Sequence, residues 1–407
     1  MPGNIPLLLV AGLLASASYV HADLLTEQRA IALALARTAV VDKEREELLA
    51  AESAIAEVGM WPNPIVSVDK DRTRTSTGTD TETTWKISQT LDLSGKRSQL
   101  QQGARQRFQA AQSEQRVNRQ GLTSQVRQVF AEVLAGELRV NALKAWQDRI
   151  AKASVTVARL AQSGEVSGYD RRRLARELQT AKAKRQQSEA NLVRLQQQLA
   201  GLTHMTSRAS LRVTGALLPA LPPDLPILMT SLTERADLTL LEAQSRALAS
   251  ESRAAGRGWA PDVTVGVGQK LVETSAGSEK SLVLSLAVPL PLFDRGSPMA
   301  SRLAAQSRAM KAEQAMRLST AESDMTGNWE QLQHLHAAAV SFRQDALQES
   351  QALSGIAERA YRAGETGVLE LLDAYRSELE AEMTALDLEL KTRLIRIELD
   401  LLAGAAS

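Results

Sequence analysis

The feature that most constrains this chain is a recurrence at half its length. Gly164 lies in LAQSGEVSGYDRRRLARELQ and Gly364 in YRAGETGVLELLDAYR, 200 positions apart. Trp61, before Pro62-Asn63-Pro64, and Trp259, before Ala260-Pro261-Asp262, repeat the interval at 198. A landmark set that recurs in order points to a duplicated unit, and duplication restricts the fold more than local propensity does.

Each copy has the same grammar. Residues 25–58 carry apolar positions at helical spacing, and the paired prolines after Trp61 end that helix and force an extended exit. A loosely alternating stretch, Ile65–Arg72, leads through a polar tip to Trp85, Ile87, Gln89, Leu91 and Leu93. These alternate with Lys86, Ser88, Thr90 and Asp92, the period of a strand with one wet face. The second copy has Leu232–Arg257 as helix. Val263, Val265, Val267, Gln269 and Leu271 then alternate with polar residues and glycines, and Leu282 to Leu292 alternate through Pro291. The β-hairpins are expected over 63–94 and 262–293.

Very long helices follow. From 98 to 162 there is no proline, and Leu122, Val126, Val129, Val133, Val140, Leu143, Ile150 and Val157 form a heptad seam. About 65 helical residues at 1.5 Å each reach roughly 100 Å, more than a compact domain needs. The chain is expected to reverse at Gly164 and return to residue 202. A proline-rich linker, 216–227, divides the first repeat (23–215) from the second (228–404). In the second, a proline-free helix runs from 299 to 362. After Gly364, Leu372, Tyr375, Leu379, Met383, Leu386, Leu390, Leu394, Ile397 and Leu401 keep heptad spacing.

Residues 1–22, with the apolar run Leu7–Leu14 and Val20-His21-Ala22, read as a secretory signal peptide, although no Lys or Arg precedes the apolar run. No later segment has the eighteen consecutive apolar residues of an ordinary transmembrane helix. Strands of about ten residues with one apolar face suit a tilted membrane-spanning strand. Four strands cannot close a barrel, since eight is the smallest number known, so the chain must oligomerise; three copies give twelve strands. The expected class is mainly α with a membrane β-barrel and two structural repeats.

Composition excludes other classes. A net charge of +1 argues against a nucleic-acid binder, and zero cysteines exclude thiolate sites, disulfides and attachment through a lipidated cysteine. His334 and His336 are two apart and point to different sides of a helix, so they are not read as metal ligands. No cofactor or metal site and no acid/base pocket is expected, so the chain is not read as an enzyme.

Taken in order, the tryptophan–proline approach to each hairpin, VPLPLFDRG (288–296), and Tyr361-Arg-Ala-Gly364 leading to Leu371-Leu372-Asp373-Ala374-Tyr375 resemble the TolC-type outer-membrane efflux family. The metal-cation branch (cobalt-zinc-cadmium and copper-silver systems) fits best. The resemblance implies a homotrimer in outer-membrane lipid, with a twelve-stranded barrel and a periplasmic α-helical tunnel. It also implies docking to a periplasmic adaptor (a membrane fusion protein) and an inner-membrane RND-type pump that supplies the energy. A multidrug efflux duct and a type I secretion duct share that fold; a soluble coiled-coil scaffold is the distant alternative, with no use for alternating strands.

Residues carry over by position. Glu370 and Asp373, six and nine after Gly364, match acids that line the family's narrow periplasmic entrance, though acids at a helix start also favour its dipole. Asp170, six after Gly164, and Tyr361, three before Gly364, match a hydrogen-bonded latch; Tyr361 as simple helix packing is the competing reading. Arg171, Arg172 and Arg173 make the first tip basic and are expected to face Glu370 and Asp373 as partners. Gly164, Gly364, Leu160, Ala363 and Val368 match tip positions that touch the adaptor, and the two glycines also permit tight reversal.

Overall fold

A computed structural model describes residues 24–404 apart from 77, 163, 165 and 206–210. The expected signal segment lies outside the described residues. The first repeat runs α1 (Glu27–Leu35), α2 (Thr38–Gly59), β1 (Ile65–Thr75), β2 (Gly78–Leu91), α3 (Lys96–Gln162) and α4 (Gly168–Thr203). The second runs α5 (Leu225–Ser231), α6 (Ala236–Ala255), β3 (Val263–Thr274), β4 (Gly277–Ala287), α7 (Ser297–Ser341), α8 (Gln348–Arg362) and α9 (Val368–Leu402). One turn of π-helix, Phe342–Leu347, joins α7 to α8.

Several boundaries differ from expectation for identifiable reasons. The helix expected over 25–58 is two, because Arg37 adopts ψ 129° between them. The helix expected from Leu232 starts at Ala236, after α5 and a 3-10 turn at 232–234. β4 stops at Ala287 rather than running to Leu292, because Pro289 and Pro291 have no N–H for a ladder. Segment 216–227 is not a free tether: Leu217 is buried in the core with Val213 and Phe130, and α5 starts at Leu225.

The two hairpins form one antiparallel sheet in the order β1-β2-β3-β4. β2 joins β3 in the register Trp85↔Gln269 and Ile87↔Val267. With Val66↔Ile87 and Val267↔Leu284, this register gathers one apolar face from all four strands. Val66, Val68, Trp85, Ile87, Val265, Val267, Leu282, Leu284 and Leu286 are all exposed on it. The opposite face carries Asp69, Asp71, Asp80, Glu82 and Glu279 against Lys86 and Lys270. The apolar side is thus open to a surrounding medium, and β1 and β4 are open edges.

Below the sheet, α3 packs on α4, α6 and α9, and α9 packs on α7 and α8. The seam read in α3 is real: Val126, Val133, Ile150 and Val157 are fully buried. Gly136 lets α4 approach closely, since a Cβ there would stand 3.1 Å from Leu192. A buried cluster at the far end joins Trp146, Ile150 and Val157 of α3 to Leu174 of α4 and Val368, Leu371, Leu372 and Tyr375 of α9. No helix among the described residues is long and apolar enough to cross a membrane.

Candidate functional site

The far helical ends bring the two reversals together. Tyr361 lies in the last turn of α8, three residues before Gly364. There the amide of Glu365 donates to Ala360 O at 2.9 Å and that of Gly364 to Tyr361 O at 3.1 Å. This 6→1 and 5→2 pair is a Schellman stop, which requires the left-handed residue that Gly364 supplies at φ +76°. Gly164 reverses the first pair at φ +80°.

Each following helix is capped by its own side chain. Ser167 Oγ accepts from the Asp170 amide at 3.1 Å and donates to the Asp170 carboxylate at 2.6 Å. Glu370 Oε2 accepts from the Gly367 amide at 3.1 Å. Both acids sit in a first helical turn, where the helix dipole favours negative charge. Glu370 is therefore a cap as well as a surface acid.

The latch is not closed. Asp170 accepts from Ser167, and the Tyr361 hydroxyl has no hydrogen-bond partner among the described residues. The two are still neighbours: burial first, then the Asp170 carboxylate, push the Tyr361 phenol above its usual value. Tyr361 instead packs half-buried against the tip cluster. The tie that does join the reversals is one the sequence reading missed. Arg376 Nε donates to Glu177 Oε1 at 2.9 Å, linking α9 to α4, and Glu177 keeps only 6% side-chain exposure. The Arg376 guanidinium holds the Glu177 carboxyl below its ordinary value. Glu177 lies in the apolar spacing of α4, three after Leu174, and Arg376 flanks the α9 seam beside Tyr375; an acid inside a seam is the signal that could have found the pair. Arg171, Arg172 and Arg173 make no ion pair with Glu370 or Asp373.

Asp373 and Glu370 are both exposed, on one side of α9. The floor of the groove between α3 and α8 is the other side of α9, where Tyr375 and Leu379 are buried. At 100° per residue the exposed side continues through Ser377, Glu380, Thr384 and Asp387. Arg139 pairs with Asp387, while Glu380 has no salt bridge among the described residues. The two acids expected at the tip thus begin a longer acidic face.

The tip contacts divide. Gly164, Ala363 and Gly364 are exposed, and Leu160 is half-buried. Val368 is 4% exposed inside the tip cluster, so it is not available to a partner; its place four before Leu372 puts it in the α9 heptad. The exposed apolar residues there are Leu369, out of that phase, with Tyr169 and Val155. Among the described residues there is no group of three or more His, Cys, Asp or Glu placed to hold a metal ion.

Known proteins share this fold. Residues 227–405 match the family model described as Outer membrane efflux protein. The cobalt-zinc-cadmium resistance protein CzcC of Cupriavidus metallidurans is 26% identical over 367 residues, 88% of this chain and 85% of that protein. The outer-membrane channel OprN superposes with a TM-score of 0.77 at 19% identity, covering 93% of this chain and 89% of that one. CusC gives 0.76 at 16% identity, with 93% and 92% covered. The Campylobacter jejuni CmeC outer-membrane channel gives 0.77 at 14%, with 93% and 86% covered. These likenesses establish the fold over nearly the whole chain.

Proposed function

We infer that this chain, matched to the outer membrane efflux protein family over residues 227–405 and sharing the outer-membrane channel fold along its length, is the outer-membrane duct of an efflux system. The observation that carries this reading is the four-stranded sheet. Its apolar face is fully exposed, its two edges are unpaired, and it stands on helices of up to 67 residues. Such a sheet satisfies its edges and covers its apolar face by closing with further copies of the chain into a barrel in lipid, twelve-stranded in a trimer. The helices then continue the wall across the periplasm. The duct is passive; energy comes from an inner-membrane RND-type pump, reached through a periplasmic adaptor.

The cargo is heavy-metal cations. The support is the cobalt-zinc-cadmium relative together with charge placement. The sheet face away from lipid carries five acids against two lysines, and the exposed side of α9 carries Glu370, Asp373 and Glu380. In a trimer, Glu370 and Asp373 bring six carboxylates to the narrow end, which concentrates cations there. Gly164, Gly364, Leu160 and Ala363 form the adaptor-facing rim, and Leu369 joins them in place of Val368.

Deletion of the gene with complementation tests the reading. Loss of resistance to divalent metal ions, restored by the wild-type chain and accompanied by heat-modifiable trimers in outer-membrane fractions, is the expected result. Resistance lost only to organic drugs would overturn the metal assignment, and a soluble dimer would overturn the duct.

A further inference from the structure

Moving along the strands away from the helices, the lipid-side face of the sheet changes character. Two cross-strand rows are apolar or amide: Val66, Ile87, Val267 and Leu284, then Val68, Trp85, Gln269 and Leu282. The next row on the same face is Lys70, Thr83, Leu271 and Lys280. After it come Arg72, Thr81, Glu273 and Ser278, and then Arg74 and Thr79. At about 3.3 Å per residue these rows are roughly 7 Å apart along a strand.

Lys70, Arg72, Arg74 and Lys280 are all exposed, and none makes an ion pair among the described residues. Charge sign follows the pleat: on β1, Asp69 and Asp71 point to one side while Lys70, Arg72 and Arg74 point to the other. An edge that only needed blunting against wrong pairing would carry either sign on either face. Three of the four bases lie on β1 and the fourth on β4, the two open edges, and neither edge strand has an acid on this face. When the barrel closes, β4 of one protomer lies beside β1 of the next. The bases then converge at each seam, with residues from two copies.

We propose that this seam is a binding site for the phosphate groups of anionic lipid headgroups in the outer leaflet. The proposal rests on the barrel reading. The apolar band lies between the helices and the basic rows, so the bases emerge from the hydrocarbon on the side away from the periplasm. Arginine pairs with phosphate oxygens through two donors, and basic side chains at a membrane surface draw anionic lipid. Holding one lipid between two protomers ties the seam together.

The test uses the full-length trimer in detergent and native mass spectrometry. The probes are a glucosamine-disaccharide lipid carrying two phosphates and the same lipid with both phosphates removed. The wild type should retain the phosphorylated lipid at least about tenfold more strongly. The variant K70T/R72T/R74T/K280T, whose new residues match the threonines already in these rows, should lose that preference, and Lys280→Thr alone should lose about threefold. The opposite-face variant K86T/K270T should keep it. Equal retention of the two lipids by the wild type, wild-type preference in the quadruple variant, or displacement by millimolar inorganic phosphate would overturn the proposal. Single-channel conductance of the wild type in pure phosphatidylcholine bilayers is recorded alongside. Its absence counts against the barrel itself, and its presence with no lipid preference counts against the lipid site alone.

Discussion

The reversal between α3 and α4 and the reversal between α8 and α9 turn in the same way and then diverge. Gly164 and Gly364 hold nearly equal positive φ, and neither would meet another atom within 4 Å if given a Cβ. Beyond the turn, α4 carries eight basic against three acidic residues, whereas α9 carries nine acidic against four basic. The backbone problem is common to both repeats, so its solution is common. The helix surfaces are under no shared constraint, and they have separated into a basic edge and an acidic face. Paired acids of α9 are met by Arg139 and Arg149 of α3 and by Arg343, not by the bases of α4.

The two unlike helices are joined by a pair that reverses this pattern, Arg376 of α9 with Glu177 of α4, and breaking this tie should have the largest effect. Arg376→Ala leaves a buried carboxylate unpaired. Because Arg376 itself is 42% exposed, the cost is about 2 kcal/mol rather than that of a fully buried pair. The expected outcome is a higher resting conductance and a lower temperature of trimer dissociation. The same bridge sets a pH dependence. The Glu177 carboxyl is held below its ordinary value of 4.5, so the stabilisation is complete above that pH and is lost as pH falls through the lowered value. Wild-type conductance should therefore rise on acidification below about pH 4.5, and Arg376→Ala should lack that rise.

A smaller effect separates charge from capping on the second reversal. Glu370→Ala with Asp373→Ala should weaken block by trivalent cations about tenfold in single-channel recordings. Glu370→Gln keeps an acceptor for the Gly367 amide, so it should keep the cap, worth about 1 kcal/mol, while losing part of the block. Arg172→Ala with Arg176→Ala on the first reversal should leave block within about twofold, since a guanidinium offers a blocking cation no oxygen to bind. Equal effects from both pairs would erase the distinction between the halves.

The smallest effect concerns the latch. The Tyr361 hydroxyl has no hydrogen-bond partner among the described residues, so Tyr361→Phe should change trimer stability by less than about 0.5 kcal/mol. A loss of about 1 kcal/mol would mean that the bond to Asp170 closes on assembly.

Much of this architecture was legible in the chain itself. Strand alternation repeats every two residues and a helical seam every seven, so a dozen residues suffice to declare either. The recurrence at 200 residues then declared the duplication and, with it, the two reversals. The same heptad phase already held the answer for Val368 and Leu369, since four before Leu372 lies in the seam and three before lies off it. The strand end at Ala287 was legible too, because Pro289 and Pro291 cannot donate to a ladder.

Other features depend on how elements meet, which no local period encodes. The pairing of β2 with β3 makes one sheet of two hairpins, and its register puts the apolar rows of both hairpins on one face. The packing of α3 and α8 against the same side of α9 turns Glu370, Asp373 and Glu380 outward together. The pairing of Arg376 with Glu177 joins residues 199 apart. Periodicity is a property of neighbours along the chain and was readable there. Register, facing and partner choice are set by long-range packing, and only the tertiary structure decided them.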